Sequence, residues 1–153
     1  MGRSFGAALF VCLAAAGAAD AGRLAVVGTD GVPLAELPLP DSGEWCLSWQ
    51  HSVTGGDVRD CFETRDGRMI LTRSYLHDAA AGLGHLAGRG EQRSAADGGY
   101  WIEGIDEPVP GNALALRVGG PSVAHVIRAD DTAIDLSAIA ADTRVTLRLL
   151  KAC

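Results

Sequence analysis

Four residues between positions 49 and 60 could do chemistry together: the indole of Trp49, the imidazole of His51, the hydroxyl of Ser52 and the carboxylate of Asp60. A histidine beside a serine can activate a hydroxyl, provided a third group orients the base and donors await an oxyanion. No such donor set is recognisable around Ser52, so its hydroxyl is read as a turn cap that bonds a backbone amide. Asp60 falls on an otherwise apolar strand face, where an unpaired charge costs several kcal/mol. It must find a partner, and His51 or Arg73 can supply one. Such a pair either fixes strand register or binds a ligand, and activity that depends on His51 or Ser52 would mark a hydrolase. Further along, Tyr100 and Trp101 precede Glu103, Asp106 and Glu107. Trp101 then belongs to the core above solvated acids, or to an aromatic and acidic edge for a partner protein or a cationic ligand. His77, His85 and His125 stand singly, and no pair shows ligand spacing on one element, so neither metal nor cofactor is expected. His125, in an expected strand, is read as a surface or cross-strand residue. No nucleophile elbow, phosphate loop, dinucleotide fingerprint or zinc spacing occurs in the chain.

The element that must position the first group is a β-hairpin spanning Trp45 to Phe62. If it turns around Ser52 to Gly55, Cys46 lies directly opposite Cys61. One face then carries Cys46, Ser48 and Gln50 against Asp57, Arg59 and Cys61, and the other carries Trp45, Leu47 and Trp49 against Val58 and Phe62. The second face is the core side. A disulfide between Cys46 and Cys61 suits an oxidising compartment, the alternative being two reduced cysteines on neighbouring strands. Cys153 is left free or pairs between molecules.

Short β-type runs separated by Gly and Asp turns fill most of the remaining chain. Residues 23–29 and 32–37 flank Asp30-Gly31, a strong hairpin signal. Residues 68–76, 100–105, 113–118, 123–128, 133–136 and 144–150 bring the count to roughly nine strands, with one helical turn over 137–141. This is an all-β pattern, a single-domain antiparallel β-sandwich or barrel. Residues 77–99, rich in Ala and Gly, read as a long loop that covers one end of the sheet.

Arg3, an apolar run from Phe5 to Ala16 and the small residues up to Ala21 have the layout of a cleaved signal peptide over residues 1–21, leaving a domain of residues 22–153 outside the cytoplasm. An uncleaved anchor and a lipid on Cys12 are the alternatives, although Val11 stands where lipidation wants a small residue. The run is too short for a membrane span, so no stable membrane insertion of the mature chain is expected. Acidic residues outnumber basic ones by 19 to 13, giving a formal charge of -6, which disfavours nucleic acid and anionic membranes as partners.

Trp49-x-His51-Ser52-Val53, Asp60-x-Phe62, Ala81-Gly82-Leu83 and the Gly99-Tyr100-Trp101 segment together resemble the DUF1850 family of small exported bacterial proteins of unknown function. The resemblance spans most of the mature chain. It departs from the family pattern at Asp60, where Glu is usual, at Asp57, where Pro is frequent, and at Gly84, where Pro is common. Members are often encoded beside TRAP transporters of the TAXI type, which take up organic acids through a periplasmic binding protein. The resemblance therefore implies a periplasmic, non-catalytic accessory whose partners are TRAP transporter subunits or their binding protein. The alternative is a small-molecule-binding module using the His51 and Asp60 hairpin tip, with Ser52, Trp49 and Trp101 as further contacts.

Overall fold

The computed structural model describes residues 22–78 and 88–150, and builds them as eleven strands in two antiparallel sheets. The smaller sheet has the order β2-β1-β11-β8, with β1 at Arg23–Gly28, β2 at Pro33–Pro38, β8 at Ala113–Arg117 and β11 at Arg144–Leu150. The larger has the order β10-β9-β3-β4-β5-β7-β6, with β3 at Trp45–Gln50, β4 at Asp57–Arg65, β5 at Arg68–Leu76 and β6 at Glu91–Ser94. Its remaining strands are β7 at Tyr100–Pro108, β9 at Val126–Ala129 and β10 at Thr132–Asp135. Neither sheet closes on itself, so the arrangement is a sandwich and not a barrel. The leader expected over residues 1–21, His85 and Cys153 lie outside the described residues.

Period-2 alternation explains which residues meet between the sheets. Leu24, Val26, Leu37, Val145, Leu147 and Leu149 of the small sheet pack in one cluster with Trp45, Leu47, Phe62, Met69, Leu71, Ile127 and Ala129 of the large one. Trp45 and Phe62 are directly opposed on β3 and β4, and their rings stack with centroids 4.4 Å apart. A second buried cluster, Leu76, Tyr100 and Ile102, lies on β5 and β7.

The central hairpin takes the register expected of it, with Cys46 opposite Cys61 and the two sulfurs joined in a disulfide. Beyond the hairpin, β4 and β5 carry a bulge, because the register shifts between Cys61 and Phe62 and one residue of β5, Thr72, is left over. Thr72 Oγ1 donates to the Cys61 carbonyl at 3.1 Å, which fixes the bulge. The shift decides the neighbours of Asp60. Without the extra residue Asp60 would oppose Arg73, but with it Asp60 opposes Ser74.

Three expectations about the elements are corrected. Residues 77–99 do not form a loop throughout: Glu91–Ser94 is strand β6, pairing with β7 at the sheet edge. Its Glu-Gln-Arg-Ser sequence is exposed on both faces and so shows no apolar alternation. The strand expected to start at Val123 starts at Val126, because residues 121–123 turn and Ala124 has a left-handed φ of 50°. The short helix runs Leu136–Ala140, one residue earlier than expected, because Asp135 caps it by accepting from the Ala138 amide at 3.0 Å.

Candidate functional site

Beside the hairpin tip lies a concavity of about 370 Å³, lined by Trp49, Gln50, His51 and Ser52 together with Arg117, Val118, Gly119, Val123, His125 and Asp142. The end of strand β3 delivers Trp49 and Gln50, the turn after it His51 and Ser52, and the end of β8 and the turn before β9 most of the rest. The Gln50 amide donates to the Val123 carbonyl at 2.7 Å, which ties that turn to the end of β3.

His51 closes the hairpin. Its amide donates to the Gly56 carbonyl, its carbonyl accepts from the Gly55 amide, and its Nδ1 accepts from the amides of Val53 and Thr54, each at 3.3 Å. The capping expected of the Ser52 hydroxyl is done by this imidazole and by Thr54 Oγ1, which accepts from the Gly56 amide. Ser52 is left exposed at the rim. The tip residues project, and Val53 is 84% exposed, the most exposed of the large hydrophobic side chains among the described residues.

His125, expected as a surface or cross-strand residue, is not on the surface: it is only 6% exposed and stacks across on Trp49 of β3 with ring centroids 5.8 Å apart. Its Nδ1 accepts from the Gly119 amide at 3.0 Å, which leaves Nε2 to carry the proton of the neutral ring. Its own amide donates to Ser137 Oγ, and that hydroxyl donates to the Gly119 carbonyl. Burial pushes its pKa below the ordinary histidine value, which keeps the ring neutral at pH 7. Sequence reasoning missed this residue. The available signal was Gly119-Gly120-Pro121, a breaker sequence ahead of it.

Asp60 and Trp101 do not line the tip concavity. Asp60 sits in mid-sheet opposite Leu47, half-buried, and accepts from Ser74 Oγ at 2.6 Å. The partners expected for it are engaged elsewhere: His51 in the turn and Arg73 with Glu44 at 2.9 Å. Burial raises the Asp60 pKa, and the Ser74 hydroxyl and the charge of Arg89 only partly oppose the rise. Trp101 lies half-buried on β7 opposite Tyr75 and not in the core. Arg73 lies over its ring at 4.8 Å, so the chain supplies its own cation to that indole. The acids near it are paired, half-buried Glu103 with Arg93, and exposed Asp106 and Glu107 with Arg65 and Arg89. Among the described residues no group of three or more His, Cys, Asp or Glu side chains is placed to hold a metal ion.

Fold and site together define an all-β sandwich with a disulfide-braced hairpin whose tip borders a cavity of small-molecule size. The chain belongs to the family described as Domain of unknown function (DUF1850), which matches residues 46–136. That segment holds all of the seven-stranded sheet except Trp45, and it ends at the start of the short helix, while β1, β2 and β11 lie outside it. No curated protein matches the chain, and no solved structure does.

Proposed function

We propose that this protein is exported as a domain of residues 22–153 and serves in the periplasm as a non-catalytic accessory of a TAXI-type TRAP organic-acid transporter. In this reading the tip of the β3–β4 hairpin holds the transporter's binding protein or a membrane subunit. The observation that carries it is Val53, an apolar side chain held almost fully in solvent at the end of a hairpin braced by the Cys46–Cys61 disulfide. A rigid apolar tip beside a partly apolar cavity makes a low-entropy contact element, since little ordering is left to lose on binding. The disulfide suits an oxidising compartment. Among the described residues no helix is long and apolar enough to cross a membrane.

A second reading rests on the stacked Trp49 and His125, whose rings line the cavity together with His51 and Ser52. It makes the protein a small-molecule-binding module at the same place, without Asp60 or Trp101.

One titration separates the two. The purified domain is titrated with the transporter's binding protein and with its solubilised membrane subunits, and Val53→Asp is compared. The docking reading expects saturable binding that Val53→Asp weakens at least about tenfold, with the melting midpoint unchanged because Val53 is in solvent. If neither component binds, and a small molecule alone raises the midpoint in a way that His51→Ala abolishes, the second reading replaces the first.

A further inference from the structure

Arg117 of β8 and Arg144 of β11 are directly opposed in the register of the small sheet. Both lie on its outer face, since the intervening Leu116 and Val145 point to the core. Opposed residues on neighbouring strands have Cβ atoms about 5 Å apart, and like charges in that relation repel. Elsewhere this protein neutralises such pairs. Glu91 and Glu103 are opposed on β6 and β7, and Arg93 bridges them at 3.3 and 3.0 Å. Arg65 and Arg68 are opposed at the β4–β5 turn, and Glu63 and Asp106 hold Arg65. For Arg117 and Arg144 no acidic partner exists among the described residues, on a chain with six more acids than bases.

Arg117, Arg144 and the end of β1 line a concavity of about 310 Å³. Its floor is Val27, Gly28, Ala115 and Thr146, and no carboxylate lines it. Two acids lie nearby without an ion pair to either arginine: Asp30 of the β1–β2 turn accepts from the Val32 amide at 3.0 Å, and Asp142, two residues before Arg144, lines the tip concavity together with Arg117. Two cations beside an apolar floor match a ligand with a carboxylate at one end and a short hydrocarbon body at the other. Guanidinium groups bind carboxylates through paired, charge-assisted hydrogen bonds, and the volume suits a small organic molecule.

We infer that the outer face of the small sheet is a binding site for a small organic carboxylate, clamped between Arg117 and Arg144 with its apolar body on Val27, Ala115 and Thr146. The site adjoins the hairpin-tip concavity through Arg117, which lines both, while Arg144 belongs to it alone.

The probe is hexanoate, set against hexanamide and inorganic phosphate at matched ionic strength, with affinity read by calorimetry and by the shift of the melting midpoint. Hexanoate is expected to bind and to raise the midpoint, hexanamide not to, and phosphate to bind more weakly for want of an apolar body. Arg144→Gln is expected to lower hexanoate affinity at least about tenfold, and Arg144→Lys to lower it less. Without ligand, Arg144→Gln is expected to melt no lower than the parent, because it relieves a repulsion. Val53→Asp is expected to leave hexanoate binding intact, so failure at the hairpin tip and failure here are told apart. The inference is overturned if hexanoate does not bind, if hexanamide or phosphate binds as well as hexanoate, if Arg144→Gln leaves affinity unchanged, or if ligand-free Arg144→Gln melts well below the parent.

Discussion

Asp60 is the residue whose surroundings make the sharpest statement. In the unfolded chain it titrates at the ordinary carboxyl value of 3.8, while burial in the sheet holds its proton to higher pH. Between those two values the folded state binds more protons than the unfolded one, so the Asp60 contribution to stability falls as pH rises through that window. Asp60→Asn keeps an acceptor for Ser74 Oγ and carries no charge. It is expected to melt no lower than the parent at pH 7 and to lose part of the parent's gain in midpoint on acidification. Asp60→Ala strands the buried Ser74 hydroxyl and is expected to cost about 1–3 kcal/mol. Melting midpoints of the three proteins between about pH 4 and pH 7 check this; an Asn variant melting well below the parent at pH 7 would show that the ionised carboxylate is needed. That Asp60 needs a partner was legible from its place on an apolar face. That the partner is Ser74 was not, because the bulge at Thr72 leaves no mark in a sequence that reads as a continuous strand.

At the scale of elements, the β3–β4 hairpin was the most readable part of the chain. Its two faces alternate cleanly, its turn residues are polar or glycine, and the disulfide follows from the register. The bond closes a segment of 15 residues, for which the chain-entropy account gives about 3 kcal/mol. The double variant Cys46→Ser, Cys61→Ser is expected to lose about that much in chemical denaturation, and to lower the tip's affinity for its partner if bracing matters to docking. A loss well under about 1 kcal/mol would show that the hairpin is held by its core face alone. Strand β6 and the turn before β9 were unreadable for opposite reasons. The first is an edge strand held by ion pairs without an apolar stripe. The second has an apolar, strand-like sequence interrupted by Ala124 in a left-handed conformation that alanine rarely adopts. The burial of His125 does not depend on that interruption: extending the β3–β9 register places it opposite Trp49, on the same face as the buried Ile127, and its ring stacks there.

For the whole molecule, an all-β class was plain from the spacing of short runs and turns, but the choice between sandwich and barrel was not. It depends on whether the outer strands find partners, and β2, β8, β10 and β6 each end a sheet here. The predicted site was legible only in part. Trp49, His51 and Ser52 come together because they are consecutive on one hairpin arm, whereas Asp60 and Trp101 go elsewhere through strand register that local sequence does not encode. The family match centres on the seven-stranded sheet, which carries the hairpin, while the proposed carboxylate clamp draws Arg144 from β11, outside that match. The two proposals, docking at the tip and carboxylate binding on the small sheet, use neighbouring surfaces that meet at Arg117.

The most direct measurement is site-specific photo-crosslinking in cells that produce the TAXI-type transporter, with the reactive group placed at Val53 or at Ile139, an exposed hydrophobic residue on the short helix. A crosslink from position 53 to the transporter's binding protein or a membrane subunit is expected, and none from position 139. Crosslinks of equal strength from both positions, or none to any transporter component from position 53, would contradict docking at the tip.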